Sequence, residues 1–184
     1  MKNFTPNLKA FVFGTFPALY ERMEKMGQKK SVQKVNDSFQ KNASEAFSRI
    51  DKALREADAT YWLAFGTLIG AVREKGFIKH DIDIDMGLLD TIDVARLDVC
   101  MRKYGFKKQR RIDVYSKTGE TGLELTYGDE QTSVDFFLFS LKDGFVYSHD
   151  FLKSTPMIGG QRLYTLVREL KMPFTGVMDY DFLG

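Results

Sequence analysis

Apolar residues recur at helical spacing in two N-terminal stretches. Over residues 1–30 they fall at Leu8, Phe11, Val12, Phe16, Leu19, Tyr20 and Met23, and from Asn36 to Asp58 at Phe39, Ala43, Ala46, Phe47, Ile50 and Leu54. The second stretch predicts an amphipathic helix with one buried stripe. Residues 27–34, GQKKSVQK, read as a polar linker between the two. The period then shortens. TYWLAF (60–65) predicts a strand, Gly66-Thr67 a turn, and LIGAVREK (68–75) a short helix ended by Gly76. IKHDIDIDMGLL (78–89) alternates at period two, the pattern of a strand. A helix is expected near TIDVARLDVCMRKY (91–104), closed by Gly105, and strands at GFKKQRRI, GLELTY, TSVDFFLFSL and GFVYSH. QRLYTLVREL (161–170) fits a strand or a helix equally, and Gly159-Gly160 marks a turn. Helix, strand, helix, strand, helix and then strands in succession predict an α/β or α+β fold with helices on one side of a sheet.

At 184 residues the chain accommodates one domain with an appended helix, divided as an N-terminal helical extension at 1–30 and a main domain at 31–184. A net charge of +2 is too small to argue for nucleic acid as a partner. The single cysteine, Cys100, excludes an intramolecular disulfide framework and a cysteine-based zinc cluster. No apolar run approaches the ~20 residues that cross a bilayer. Gly14 and Pro17 interrupt the N-terminal apolar stretch and no small-residue cleavage site follows, so a cytoplasmic location is expected. Residues 1–30 would pack on their own domain or lie on the inner membrane face; their flanking charge is mixed rather than basic, which favours packing.

The chemistry concentrates in DIDID, residues 81–85. On a strand Asp81, Asp83 and Asp85 share a face, while Ile82, Ile84 and Met86 turn to the core. Same-face neighbours lie ~7 Å apart, where two unit charges repel by roughly 2 kcal/mol at an effective dielectric of 20. Water alone could solvate such a face, but aspartate is depleted from strands. A divalent cation would offset the repulsion, since carboxylates are its preferred protein ligands. Gly66-Thr67, between a strand and a helix, could offer backbone N–H groups to an anion or be an ordinary turn. The helix between is short, so the acidic strand should return beside the strand ending at Phe65.

FGTLIGAVREKGFIKHDIDIDMG resembles the signature of the LicD/fukutin-related phosphotransferases, in which a Gly-Thr/Ser-Leu-Leu-Gly-x-x-Arg segment precedes an Asp-x-Asp-x-Asp strand. The likeness covers about thirty residues, Tyr61 to Leu88, and implies a nucleotidyltransferase-like mixed sheet flanked by helices. The family's later apolar-Asp-apolar element is matched by Asp135, between Val134 and Phe136. The implied activity is transfer of a phospho-alcohol, such as phosphocholine or a polyol phosphate, from a CDP-activated donor to a glycan hydroxyl in cell-surface polysaccharide synthesis. By the same resemblance Asp83, Asp85 and Asp135 are the catalytic residues, and Asp81 joins them as ligands of Mg2+ or Mn2+. Gly66 and Thr67 would position the donor phosphates, and Arg73 would reach charge on the phosphoryl group or complement its helix end.

The chain departs from the family at its end, MPFTGVMDYDFLG, where relatives continue through a proline-containing strand; a reduced acceptor side or a fragment is implied. Two other functions stay open: nucleotidyl transfer from an NTP to a small molecule, protein or RNA, and non-catalytic binding on the same fold. The basic run MRKYGFKKQRRIDV is read as a solvated face, because Lys107, Lys108, Arg110 and Arg111 do not share one strand face. His80 and His149 lack metal-ligand spacing with each other or with Cys100.

Overall fold

The computed structural model describes residues 17–115, 121–154, 164–179 and 182–183; the expectations for residues 1–16 and for Gly159-Gly160 fall outside them. Among these residues three helices, α1 (Pro17–Glu56), α2 (Phe65–Glu74) and α3 (Val94–Lys103), accompany seven strands. These are β1 (Tyr61–Leu63), β2 (Ile84–Leu89), β3 (Lys107–Tyr115), β4 (Thr121–Gly128), β5 (Ser133–Lys142), β6 (Phe145–Ser154) and β7 (Tyr164–Pro173). QRLYTLVREL thus resolves as strand over its described part.

Five strands lie in the order β1-β2-β5-β4-β3, and β6 and β7 extend the sheet from the far end of β5. Among the described strands only β2 and β5 run parallel; the other pairs are antiparallel. The expected return of the acidic strand beside the first one is present, with Leu63 opposite Met86 and Tyr61 opposite Leu88. The β5–β6 hairpin turns on Asp143-Gly144, both at positive φ (51° and 75°), the conformation that a tight two-residue hairpin asks of its central pair.

The core lies between one face of this sheet and helices α1 and α3. From α1 it takes Phe39, Ala43, Ala46, Ile50 and Leu54, all but fully buried at the predicted spacing. From the sheet it takes Ile84, Met86, Leu88, Val134 and Phe136, and from α3 Leu97 and Met101. Burying each such Leu or Ile contributes about 1.5–3 kcal/mol. Asp93 fixes where α3 begins: its carboxylate accepts from the N–H groups of Ala95 (2.9 Å) and Arg96 (3.1 Å).

Three expectations require correction. α1 passes through residues 27–34 without a break, so the predicted polar linker is helical and the boundary set at residue 30 falls inside one helix. Gln and Lys are good helix formers, and polarity alone does not separate an exposed helix from a linker. The strand predicted over 78–89 begins only at Ile84, because neither β1 nor β5 pairs with the chain before that point. Residues 78–81 are instead held by α1, whose Asn36 amide donates to the carbonyls of Lys79 (3.0 Å) and Asp81 (2.7 Å) and whose Gln40 amide donates to Ile78 (2.9 Å). Ile82, expected in the core, is 39% exposed for the same reason. The short helix starts earlier than predicted, at Phe65, so Gly66 and Thr67 form its first turn, and its left-handed cap falls on Lys75 rather than Gly76.

Gly87 shows how tightly the second face of the sheet is built. A Cβ there would lie 2.3 Å from Cε2 of Trp62, whose ring is confined between Phe139 and Phe174 at centroid distances of 5.1 and 5.4 Å. Gly87→Ala is therefore expected to destabilise the protein by about 1–3 kcal/mol, the range for overpacking. Denaturant titration followed by the fluorescence of Trp62, the chain's one tryptophan, measures this; an unchanged midpoint and spectrum would refute the packing described.

Candidate functional site

Strand register builds the site. Asp85 on β2 is directly opposite Asp135 on β5, Asp135 is opposite Thr126 on β4, and Thr126 is opposite Arg110 on β3. These four residues form one row across the sheet, on the face turned away from α1, because their neighbours Ile84, Val134, Phe136, Leu125 and Tyr127 fill the core.

Asp85 is tied to α2 twice. Its carboxylate accepts from the Gly66 N–H (3.1 Å), and its own N–H donates to the buried Thr67 hydroxyl (2.9 Å). A side chain at residue 66 would intrude between two acids, since a Cβ there would stand 3.2 Å from Asp85 Oδ2 and 3.5 Å from Asp81 Oδ1. The expected anion-binding turn thus positions Asp85: the Gly66 N–H and the Thr67 hydroxyl are both engaged by that one residue. Asp81 approaches the same glycine from the loop, its carboxylate also accepting from the Ile78 N–H (3.3 Å).

Asp135 is held from the other side. Its Oδ1 accepts from the Thr126 hydroxyl (2.5 Å) and its Oδ2 from the Arg110 guanidinium (3.3 Å). Arg110 also donates to Thr126 Oγ1 (3.1 Å) and pairs with the buried Glu124. The signature acids are therefore gathered at one end of the β2–β5 pair. Arg73 is not: it lies seven residues along α2 from Gly66, ~10 Å at the helical rise, and its guanidinium pairs with Glu74 (2.6 Å). The cation at the acids is Arg110. A bulge between Lys108 and Arg110 explains how it arrives there. The extra residue turns Arg110 onto the acidic face, while Lys108 stays on the core side with Asp98 (2.6 Å) and the ring of Tyr127. A bulge leaves no mark in hydrophobic periodicity. Thr126 and Glu124 were more accessible: in GLELTY they alternate with Leu123, Leu125 and Tyr127, a polar face opposite an apolar one.

The electrostatics follow from this crowding. Burial pushes the Asp85 carboxyl up to about 7, and the charges of Asp83, Asp135 and Asp81 add to the shift against the favourable Gly66 N–H. Asp83 is raised by burial and then by the fields of Asp135 and Asp81, partly offset by Arg110. Asp81 is raised by burial, against the Ile78 N–H. The Asp83 and Asp85 shifts are those of partly buried carboxylates facing other acids. As the side chains stand, no group of three His, Cys, Asp or Glu residues among those described is drawn close enough to hold a metal ion. A cavity of about 310 Å³ opens elsewhere, lined among others by Asp90, Arg111, Asp113, Tyr147 and His149, and none of the four signature aspartates borders it. No helix among the described residues is long and apolar enough to cross a membrane.

The Asp85 shift has a consequence for stability. The folded state binds this proton more tightly than the unfolded chain, whose carboxyl titrates near 3.8. Its contribution is complete below about pH 4 and is lost as pH rises through about 7, by the linkage of proton binding to folding. In metal-free buffer, stability measured by urea unfolding should fall across this window. Asp85→Asn should flatten the fall and exceed the parent at pH 8 by about 1–3 kcal/mol; a variant no more stable than the parent at pH 8 would contradict the geometry.

Residues 58–177 match the family profile described as LicD/FKTN/FKRP, nucleotidyltransferase domain. The chain is 26% identical over 102 residues to the mouse (Mus musculus) protein named ribitol-5-phosphate transferase FKTN, covering 55% of this chain and 21% of that one. It is 29% identical over 96 residues to an uncharacterised protein of Rickettsia typhi, covering 51% of this chain and 28% of the relative. The chain thus spans only 21% and 28% of the lengths of these two curated relatives. The matched region contains every element of the acidic row: α2, β2, β3, β4 and β5 all lie within 58–177. With the profile running over well over half of its length, the chain belongs to the LicD/FKTN/FKRP family through its nucleotidyltransferase domain.

Proposed function

We propose that this chain is a phosphotransferase that moves a phospho-alcohol from a CDP-activated donor to a glycan hydroxyl, assisted by Mg2+ or Mn2+. The observation that carries this reading is the register pairing Asp85 with Asp135, which joins the two separated acidic elements of the signature in one row. Family membership and the relative named as a ribitol-5-phosphate transferase support the reaction class.

The donor set suits a hard cation. It consists of carboxylate oxygens alone, as magnesium favours, and their mutual repulsion exceeds what Arg110 offsets. Asp81, Asp83, Asp85 and Asp135 would hold the ion; when bound, it would neutralise the diphosphate and the charge growing on the leaving phosphate. The remaining work falls to the protein. The Gly66 N–H and the Thr67 hydroxyl fix Asp85, and Thr126 and Arg110 fix Asp135, so the acids keep their places as charge changes between them. The acceptor oxygen forms a bond to the donor's distal phosphorus, and the bond from that phosphorus to the bridging oxygen breaks. CMP leaves with the bond's electron pair, and the acceptor's proton passes to Asp135 and then to water.

Incubation with CDP-choline or CDP-ribitol, a hydroxyl acceptor and Mg2+ or Mn2+ should release CMP, with loss on chelation. Asp83→Ala and Asp135→Ala should each lower the rate by about 10²-fold or more, the usual scale for charge stabilisation and general-base catalysis, while staying folded by circular dichroism. Pyrophosphate release from an NTP would shift the assignment to nucleotidyl transfer. A folded protein that binds neither Mn2+ nor any nucleotide would leave only a binding role.

A further inference from the structure

One step along the strands from the acidic row, on the same face, lies a second row. It runs Gly87 on β2, Phe137 on β5 and Glu124 on β4, by the register of those strands. Against Phe137 rests the ring of Phe65, edge to face, with centroids 4.6 Å apart and planes at 69°. Phe65 immediately precedes Gly66, so the two rings stand beside the acids that flank that glycine.

The backbone of Phe65 is unusual. Its φ is +40°, in the left-handed region that bulky side chains rarely adopt. Asp85 pins it on both sides: its carbonyl accepts from the Ala64 N–H (3.1 Å), and its carboxylate accepts from the Gly66 N–H (3.1 Å). A strained core residue would at least be buried in compensation, yet 36% of Phe65 is exposed. Strain of this kind persists where the surroundings over-determine it, and such places cluster at ligand clamps. Here it holds a solvent-facing aromatic ring over Phe137 at the rim of the acids.

We infer that Phe65 and Phe137 form the stacking face for the base of the nucleotide donor. This rests on the function proposed above and adds the part of the donor that the acids do not touch. The same-face step between the rows is ~7 Å, comparable to the reach from a nucleotide's phosphates to its base. The exposed aromatic surface of Phe65 matches a planar π-system.

Calorimetry in Mn2+ with two probes tests this: CDP, which carries a base, and inorganic pyrophosphate, which does not. Phe65→Ala should weaken CDP by about 5- to 100-fold, the range for losing one base–aromatic stack, and leave pyrophosphate unchanged. Phe65→Tyr and Phe65→Trp should restore CDP binding, and the new indole of Phe65→Trp should be quenched by CDP but not by pyrophosphate. Phe137→Leu, which keeps bulk without an aromatic face, should lose CDP affinity in the same sense. If the parent binds both probes and the variants bind CDP as it does, or lose both alike, the stacking face is wrong and the acidic site stands. If the folded parent binds neither probe, both ideas fall.

Discussion

Two carboxylates meeting side by side on neighbouring parallel strands are the constraint around which this domain is arranged. The β2–β5 pair is the one parallel contact among the described strands, and it carries Asp85 and Asp135 into register at its start. Like charges at that spacing, partly removed from water, oppose folding unless their surroundings answer them. The surroundings do so piecewise: a backbone N–H from α2, the hydroxyl of Thr126 and one guanidinium from β3. Much of the local architecture is legible as support for this pair.

That support comes from parts of the chain far apart in sequence. Asn36 and Gln40 on α1 hold the carbonyls of the loop that presents Asp81, while the apolar stripe of the same helix packs under β2 and β5. One helix therefore fixes both the floor and the rim of the site. The opposite face of the sheet is equally committed, since Trp62 occupies the space over Gly87 and Phe65 leans on Phe137. The site has little freedom to collapse without losing aromatic packing.

The fold class and most elements could be read from hydrophobic period: α1's stripe, the return of β2 beside β1, and the alternation in β4 and β5. The signature acids and Asp135 were also visible, because motif spacing survives without any knowledge of pairing. What escaped were features set by partners rather than by pattern. The period-two run before Ile84 has no neighbouring strand to complete a ladder, so it remains loop held by α1. The Gly66-Thr67 segment looked like a ligand for phosphate, but its groups face Asp85. Arg73 carried the expected positive charge by position in the motif, whereas tertiary geometry puts Arg110 there and turns Arg73 to Glu74.

The irregularity in β3 divides two nearby cations between the faces of the sheet. Because one additional residue near Gln109 interrupts the alternation, Lys108 and Arg110, two positions apart, serve opposite faces of the sheet. Removing that residue would restore regular alternation while keeping Lys108 opposite Tyr127 and Arg110 opposite Thr126, so Glu124 would retain its counter-charge. A single-residue gap at this point would accordingly straighten the strand and leave the charge of the cleft as it is.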